Sequence, residues 1–458
     1  MKRFLYLLSF TALLHAGCSP QLMPPEVTAR THYLYGEAFA QDSLSVPTNW
    51  WLLFGDTTLN RLMERALSHN RDLWVAASRI EEARYNRSVA RSSLLPSVGA
   101  QLTPEGSYNR ATKITEQYAA ELTASWEIPL FGQLKQTTRA ARAEIGSAVW
   151  NFRGVQLSLT AEVATTYFTL LQYERDLWIA RRTSTLRRES AALIDSLFNY
   201  GMSTGVDREQ ARALVASAES DIPRYRSAIE QARLSLGVLL GEPPMPFTHD
   251  GVGLELLTDL SPEALDVGVP SDLLVRRPDL MQAHYALDAA AAKAGLARTN
   301  RFPSIMLSAK GGIGATSWKG LTSSNPFVWS AVGSIVQPIF NFRGLKRSEQ
   351  VAIEQYNQAA FAYEQTALAA FADVEKVLSS IAATRIETER TTELVTSYRS
   401  ILEMAYALYR NGMADYLDVI DAERTLYTAQ MSLVGLLSSQ YINYVSLCKA
   451  LGGGWREE

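Results

Sequence analysis

The sequence predicts a mainly α-helical fold with a small β part, built from two duplicated halves. Three observations carry this prediction. A stretch near the start of the chain recurs later at a constant spacing, two long reaches contain no proline, and four short segments are β-like. Together they predict helices far longer than those of an ordinary globular domain, with a few strands between them.

The internal repeat is the strongest signal of organisation. The segment "NRDLWVAASRIEEARYNRSVARSSLLPSV" aligns with "RPDLMQAHYALDAAAAKAGLARTNRFPSI", and pairing Asp72 with Asp279 gives an offset of 207 residues (279 − 72). Further along, the offset becomes 211, which pairs Asp207 with Asp418 (418 − 207). Chance would not keep one frame over such a distance, so the two halves are duplicates.

The proline-free reaches predict very long helices. No proline occurs from Leu130 to Ile222 or after Pro338. Proline is the strongest helix breaker, and both reaches are rich in Ala, Glu, Arg and Leu. They are interrupted at matching places, "NYGMSTGVD" and "RNGMADYLD", where a glycine and a capping-type residue predict αα-hairpin turns. One helix from Leu134 to Tyr200 would be roughly 100 Å long.

Four segments between the helices predict strands: "SVGAQLT", "YAAELTASWEI", "SIMLSAKGGIGA" and "FVWSAVGSIVQPIF". In the second of them, Leu122, Ala124, Trp126 and Ile128 alternate with polar residues. This period-two alternation is typical of a membrane barrel strand, and from the pattern alone a soluble half-buried sheet fits equally well. Four strands cannot close a barrel within one chain, because about eight is the usual minimum. Any barrel would have to pool strands from several chains.

The start of the chain is typical of an export signal. Lys2 and Arg3 precede a short apolar run and the sequence "HAGCSP". The "AGC" triplet resembles a bacterial lipobox, which implies removal of residues 1–17 and a covalent lipid on Cys18. The leucine usual three residues before the cysteine is His15 here. An ordinary signal peptide with an incidental cysteine is the alternative.

Composition and motifs argue against several function classes. The net charge is −3 and the isoelectric point about 6.1, so we expect no nucleic-acid partner. The histidines are scattered without metal-ligand spacing, and the chain has no P-loop, dinucleotide fingerprint or nucleophile elbow. Cys448 has no disulfide partner in prospect and is predicted to be a small buried apolar residue. We therefore predict a protein that is not an enzyme and has no metal and no cofactor beyond the lipid on Cys18.

These features together resemble the TolC-like outer-membrane factor family, and more narrowly the lipoprotein branch (OprM/NodT-like) that serves RND-type multidrug efflux pumps. The resemblance covers about Trp50 to Gly454, and its most specific stretches are "WWLLFGDTTLNRLMERAL", "RRPDLMQAHYAL", "FPSI", "QPIF" and "GMADYLDVIDAERTL". The family's usual glutamate after "QA" is His284 here.

The resemblance implies a homotrimer. Three protomers would share one twelve-stranded transmembrane β-barrel, four strands from each chain, and a long antiparallel helical barrel through the periplasm. The chain would be lipid-anchored in the outer membrane. It would be the passive exit duct of a tripartite pump, with a periplasmic adaptor protein and an inner-membrane RND-type pump as partners.

The domain organisation follows from the repeat and the signal. We predict a signal peptide at 1–17, a lipidated linker at 18–48, a first repeat at 49–241, a linker or equatorial segment at 242–275 and a second repeat at 276–454. Two other functions are also compatible with the sequence. The outer channel of a type I protein-secretion system would usually lack the lipid, and a periplasmic coiled-coil scaffold or adhesin would explain the helices but not the strands.

Two acids in "YLDVIDAERTLY" are the candidate site residues on the second hairpin. Asp418 and Asp421 are three residues apart, so both lie on one helical face. Asp418 falls at the third helical position after the expected N-cap Asp415, and Asp207 has the same relation to Thr204. For these two acids, helix capping is one interpretation.

Asp421 differs, because it lies past the first turn and its counterpart in the first half is Gln210. The resemblance implies that Asp421, reinforced by Asp418, forms a ring of carboxylates at the periplasmic entrance. It also implies that Asp207, Tyr409 and Arg424 tie helices together at the tip. The family's arginine tie just after the glycine is replaced by Ala414.

Overall fold

The structure is a computed structural model of the 458-residue chain. It describes residues 22, 24–27, 32–35, 44–45, 47–111, 113–243, 265–266, 270–320 and 327–454. Cys18 and the predicted signal peptide lie outside the described residues.

Long helices dominate the described chain. They are α1 (Thr57–His69), α2 (Arg71–Ser92), α3 (Gln133–Asn199), α4 (Gly205–Leu239), α5 (Leu273–Arg276), α6 (Pro278–Thr299), α7 (Phe342–Arg410) and α8 (Tyr416–Ala450). α3 has 67 residues and α7 has 69, which confirms the helices predicted from the proline-free reaches. In the described ranges, no helix combines the length and apolar character that a bilayer span requires.

Proline does not end α4, which continues through Pro223. Pro223 is on the exposed side of the helix. Its missing N–H leaves the carbonyl of Glu219, four residues earlier, without its usual helical partner. α4 therefore contains a local weak point in an otherwise continuous helix.

The strands are β1 (Leu44–Ser45), β2 (Ser97–Asn109), β3 (Lys113–Ile128), β4 (Leu265–Asp266), β5 (Ser304–Ala315) and β6 (Phe327–Val336). β2, β3, β5 and β6 form one antiparallel sheet in that order, which confirms the four predicted strands and the mainly helical fold with a small β part. β1 and β4 form a separate parallel pair that the sequence did not predict, between two segments interpreted as linkers.

The four-stranded sheet exposes large apolar side chains. Leu102, Leu122 and Trp329 keep 66%, 61% and 71% of their surface exposed. Exposed apolar area on this scale marks an interaction or membrane surface. β2 and β6 each have only one neighbouring strand, so the sheet also has two open edges.

The chain divides into two compact units. Unit 1 comprises residues 1–27, 77–151 and 281–366, and it contains the four-stranded sheet. Its helices approach closely where small residues allow: a Cβ on Gly146 of α3 would lie 2.5 Å from the Tyr285 ring of α6. Leu287, Tyr356 and Ala360 form a buried cluster in the same unit.

Unit 2 comprises residues 28–76, 152–280 and 367–458. Its core includes aromatic rings that pack edge to face or tilted, among them Trp50, Phe54, Phe168, Tyr441 and Tyr444. The "WWLLFGD" stretch therefore supplies core rings and then the N-cap of α1. Cys448 is fully buried, as predicted, with 0% of its surface exposed.

The repeat is visible in matching hydrogen bonds of unit 2. The Asn70 side-chain amide donates to the carbonyl of Leu239 at the end of α4, at 2.9 Å. The Arg277 guanidinium donates to the carbonyl of Ala450 at the end of α8, at 3.2 Å. The donors are 207 residues apart (277 − 70) and the acceptors 211 (450 − 239), which are the two offsets of the repeat. The duplicated positions therefore both donate to a carbonyl at the end of a helix that lacks an intrahelical partner.

The glycines that follow α4 and α8 lie close to the backbone of a neighbouring helix end. We call each of these contacts, with the hydrogen bond of Asn70 or Arg277, a joint. Gly241 has φ +67°, and a Cβ there would lie 2.2 Å from the His69 carbonyl oxygen. Gly452 has φ +87°, and a Cβ there would lie 2.9 Å from the Arg276 carbonyl oxygen. Only glycine suits both the left-handed conformation and the close backbone approach.

Candidate functional site at the hairpin end

The two helical hairpins of unit 2 lie side by side. We call the hairpin end the two turns (200–204 and 411–415) with the adjoining parts of α3, α4, α7 and α8 (187–221 and 395–427). In both turns a left-handed glycine, Gly201 or Gly412, is followed by a methionine whose N–H bonds back five residues, at 2.8 and 2.9 Å. This is a Schellman ending, and it confirms the hairpin turns predicted from the sequence. The helices then close over a shared buried cluster: Ile194, Ala211, Ala405, Tyr416, Val419, Ile420 and Ala422.

Asp207 completes a capping box at the start of α4. The Thr204 hydroxyl accepts a hydrogen bond from the Asp207 N–H at 3.1 Å, and the Asp207 carboxylate accepts one from the Thr204 N–H at 3.0 Å. Burial acts to raise the pKa of Asp207, but hydrogen bonds from Thr204 and Ser203 to the carboxylate outweigh it and lower the pKa below its ordinary value. The capping interpretation of Asp207 has direct geometric support, and its role as a tie stays a prediction.

The second hairpin has the same positions without the same bonds. Asp415 is the N-cap of α8, but its side chain makes no capping hydrogen bond. Asp418 is the acid of the first turn of α8, and both Asp418 and Asp421 are exposed. Neither carboxylate pairs with a cation among the described residues. The protomer thus leaves both acids available to solvent.

The two other predicted ties differ in their surroundings. The Tyr409 ring packs against the Tyr416 ring across the second hairpin, with centroids 5.3 Å apart. Burial, and next the charge of Asp207 in the first hairpin, raises the pKa of Tyr409. Arg424 is exposed on α8. A tie through either side chain stays a prediction.

A buried ion pair that the sequence did not predict joins α3 to α8. Arg187 Nε lies 3.5 Å from Glu423 Oε2, and both side chains are almost fully buried. Arg187 also donates to the Leu214 carbonyl of α4 at 3.1 Å. One guanidinium therefore contacts two neighbouring helices.

Tyr406 brings α7 into the same network. Its hydroxyl donates to Glu423 Oε1 and lies 2.6 Å from the Ser190 hydroxyl of α3. Because the tyrosine has a single proton and gives it to Glu423, Ser190 is the donor in the second bond. Burial, reinforced by the bond to Glu423, raises the pKa of Tyr406 above its ordinary range. We call Arg187, Glu423, Tyr406 and Ser190 the buried network.

One signal in the sequence could have pointed to Glu423. It is four residues after Val419 and three before Leu426, and both of these are buried. An acid in the apolar stripe of a helix is an informative exception, because buried charges are normally paired. Its partner, 236 residues earlier (423 − 187), carried no local signal.

A groove of about 1110 Å³ opens beside the buried network and is lined by residues of α3, α7 and α8. Apolar side chains and guanidinium groups share its lining. Trp178 lies between two of these groups, with Arg175 4.3 Å and Arg182 5.3 Å from its ring centroid. Within the described ranges, no group of three or more His, Cys, Asp or Glu residues is arranged to hold a metal ion.

Comparison with known proteins decides the family. The family model described as Outer membrane efflux protein matches residues 62–242 and 269–453. The chain belongs to the outer membrane efflux protein family. The resemblance to TolC-like outer-membrane factors is thereby confirmed.

Individual members of the family agree over nearly the whole length. The chain is 32% identical over 414 residues to the probable outer membrane lipoprotein SilC of Salmonella typhimurium, covering 90% of this chain and 89% of that one. It is 32% identical over 480 residues to the solvent efflux pump outer membrane protein SrpC of Pseudomonas putida, covering 99% of each chain. The solved outer-membrane channel OprN superimposes with a TM-score of 0.87 at 27% identity, covering 95% of this chain and 99% of that one.

These findings confirm the predicted function class. This outer membrane efflux protein is an outer-membrane channel and not an enzyme, and it is located in the outer membrane. Channels of this family need no cofactor. The antiparallel four-stranded sheet and the long helices are those of TolC-like channels.

Proposed function

We propose that three copies of this chain form the exit duct of a tripartite efflux pump. The duct would carry drugs or other small molecules passively from the periplasm and the inner-membrane pump to the exterior. The observation that supports this most directly is the sheet, which has two open edges and large exposed apolar side chains. In lipid, unpaired edge groups would stay unsatisfied, so the sheet must continue into neighbouring chains. Three sheets of four strands would close a barrel of twelve.

Disulfide crosslinking tests this closure. Cysteine pairs with one member on β2 and one on β6, scanned along the exposed edges, should crosslink between chains and give dimer and trimer bands. The control pair Ser125→Cys/Ser308→Cys joins directly opposed residues of β3 and β5, so it should crosslink only within a chain. Failure of every β2–β6 pair, while the control pair forms, would contradict the trimeric barrel.

The proposal includes the lipid anchor and the domain organisation. Cys18 would carry the lipid after residues 1–17 are removed, 18–48 would link it to the repeats at 49–241 and 276–454, and 242–275 would be the equatorial linker. Several acyl chains would hold the protein firmly, since one chain alone anchors only weakly. Intact-mass analysis should show an acylated N-terminal cysteine, and Cys18→Ser should abolish the added mass. An unmodified cysteine in the mature protein would count against the anchor.

The hairpin end is the proposed entrance and docking site. Asp421, with Asp418, would form the carboxylate ring of the entrance, and a periplasmic adaptor would bind helix to helix beside it. The groove supports this, because three helices line it and its lining includes Arg175, Arg182 and Arg399. A helical hairpin with apolar residues flanked by carboxylates would suit it.

Photocrosslinking tests the docking. A benzophenone amino acid at Leu186, which lines the groove, should crosslink to the purified adaptor of the cognate pump. The same label at Leu234, exposed on α4 outside the groove lining, is the control. Equal crosslinking at both positions would contradict a docking site in the groove.

A further inference from the structure

A buried acid in the middle of α3 has no role in the proposed duct. Asp176 keeps only 4% of its surface exposed, and its Oδ1 atom has no hydrogen-bond partner among the described residues. The Gln172 side chain, one turn earlier on α3, hydrogen-bonds the carboxyl group. A buried carboxyl group with only part of its hydrogen bonds costs free energy when it is charged. The groups around Asp176 therefore determine whether it holds a proton.

The charged groups that face Asp176 lie mainly on α4. One is Arg224, whose positive charge acts to lower the pKa of Asp176. The other is the titratable group Tyr225, whose pKa the charge of Asp176 acts to raise. The Arg224 guanidinium is already engaged by Asp221 at 3.0 Å and by the Tyr225 hydroxyl at 2.9 Å. Arg224 is thus close enough to influence Asp176 but is held by other partners.

Asp221 extends the cluster to α8. Its carboxylate accepts a hydrogen bond from the Tyr427 hydroxyl at 2.7 Å, which makes Tyr427 the titratable group of α8 in this cluster. Met431, one turn later on α8, receives the Tyr225 hydroxyl at 3.9 Å. At this level, the contact between α4 and α8 includes two side chains, Asp221 and Tyr225, that also hold Arg224.

α4 has its weak point at this level. Pro223 stands between Asp221 and Arg224, and the helical hydrogen bond that its N–H would make is missing. A small rotation of this turn breaks fewer backbone bonds than it would elsewhere in α4. The cluster and the weak point coincide in sequence and in space.

The burial of Asp176 places its titration near neutrality. Burial raises the pKa of Asp176 to about 7, against the smaller opposing effects of the Gln172 hydrogen bond and the Arg224 charge. Since the folded state holds a proton that the unfolded chain releases at lower pH, Asp176 reduces stability progressively as the pH rises toward 7, and the loss is complete above it.

We propose that Asp176 is a proton-binding site that controls the contact between α4 and α8. In the protonated form the carboxyl group is neutral, and Arg224 stays with Asp221. Deprotonation releases one proton to solvent and leaves a buried anion that attracts Arg224 across from α4. As Arg224 turns, Asp221 and the Tyr225 hydroxyl both lose their contacts with the guanidinium. The helical turn at Pro223 then opens more often, and the contact of α4 with α8 becomes weaker.

Hydrogen–deuterium exchange of the purified full-length protein tests this, because it reports the opening of individual helices. Wild type and Asp176→Asn are compared at the same pH, so that the intrinsic exchange rates cancel. At about pH 8.5, where the carboxyl group is charged, α4 peptides around 219–227 should exchange about threefold faster or more in wild type. At about pH 5.5 the two proteins should exchange alike. Asp195→Asn, an exposed acid on the same helix, should match wild type at both values.

Two outcomes would overturn the proposal. One is equal exchange in wild type and Asp176→Asn at both pH values. The other is a difference that Asp195→Asn reproduces. Arg224→Gln tests the relay itself: it removes the cation shared by the two acids, so α4 should exchange faster at both pH values with no dependence on Asp176. A pH dependence that persists in Arg224→Gln and disappears in the double variant with Asp176→Asn would exclude Arg224 as the relay. Exchange within one protomer is independent of the exit-duct proposal.

Discussion

Arg187 on α3 and Glu423 on α8 form an ion pair that is almost fully removed from solvent, with 3% and 8% of their side chains exposed. Tyr406 donates a hydrogen bond to Glu423 and contacts Ser190, so α3, α7 and α8 share one polar network inside an apolar contact. Such a network favours one alignment of the helices, since a shift along either axis separates the charges.

Removing one partner of this pair should be strongly destabilising. Glu423→Ala leaves the Arg187 guanidinium buried without its counter-charge, which typically lowers the free energy of unfolding by about 3–5 kcal/mol. The comparison is Asp195→Ala, which breaks the exposed pair between Asp195 and Arg212 and should lower it by less than about 1 kcal/mol. Chemical denaturation followed by circular dichroism measures both. Similar losses would mean that the buried pair has no special role.

The duplicated N-caps should respond differently to the same change. Thr204 and Asp415 are equivalent positions (415 − 204 = 211), but only the Thr204 side chain accepts a capping hydrogen bond. Thr204→Ala should therefore lower the free energy of unfolding by about 1 kcal/mol, and Asp415→Ala by clearly less. Thermal melts of the two variants give the comparison. A larger loss for Asp415→Ala would show that its carboxylate has a partner outside the protomer.

Asp207 should stabilise the protein only above acidic pH. Its folded-state pKa is lowered, so its contribution is present above the unfolded pKa of about 3.9 and is lost as the pH falls through the folded value. Asp207→Asn should accordingly reduce stability at neutral pH and make little difference in strong acid. Denaturation midpoints of both proteins across this range test the sign. A deficit that grows in acid would contradict the capping role.

The glycines of the two joints should tolerate alanine less well than those of the hairpin turns. Gly241 and Gly412 both have positive φ, but only at Gly241 would a Cβ meet backbone, the His69 carbonyl oxygen. Gly412→Ala should lower the free energy of unfolding by about 1–2 kcal/mol through conformation alone. Gly241→Ala should lower it by more, because the backbone must also move. Equal melting temperatures for the two variants would contradict the close approach.

The exposed acids of α8 should set the ion selectivity of the channel. Asp421→Asn removes a charge but little volume, so it should reduce cation selectivity and block by multivalent cations, while trimers still form. Reversal potentials in a salt gradient measure this on the purified protein in bilayers. Asp195→Asn is a charge-matched control, since its carboxylate pairs with Arg212 within the protomer. An unchanged reversal potential in Asp421→Asn/Asp418→Asn would exclude the entrance ring.

Much of the fold could be predicted because its signals are local. The proline-free reaches specify α3 and α7, the glycines Gly201 and Gly412 specify the turns, and period-two alternation specifies strands such as β3. Capping by Asp207 was one interpretation of the sequence, since Asp207 and Thr204 are only three residues apart. Each of these features depends on residues within a few turns of one another.

The features that could not be predicted depend on the register between distant helices. Arg187 and Glu423 meet only because α3 and α8 align in one way. The sequence around Arg187 contains no pattern that predicts Glu423 as its partner. The parallel pairing of Leu44 with Leu265 joins two segments with no strand pattern. Pro223 shows the limit of propensity, because the packing of α4 keeps the helix continuous through a residue that would break an isolated one.

The joint between neighbouring helices is complete within each half of the chain. Asn70, Leu239 and Gly241 belong to the first half, and Arg277, Ala450 and Gly452 to the second. A half-length ancestor would already have contained this joint. Six copies of such an ancestor would have formed a ring with sixfold symmetry. In the proposed trimer, the amide of Asn70 and the guanidinium of Arg277 alternate around the axis and reduce that symmetry to threefold. The two alternating positions would therefore differ in the buried side chain that caps the end of the helix, an amide in one and a guanidinium in the other.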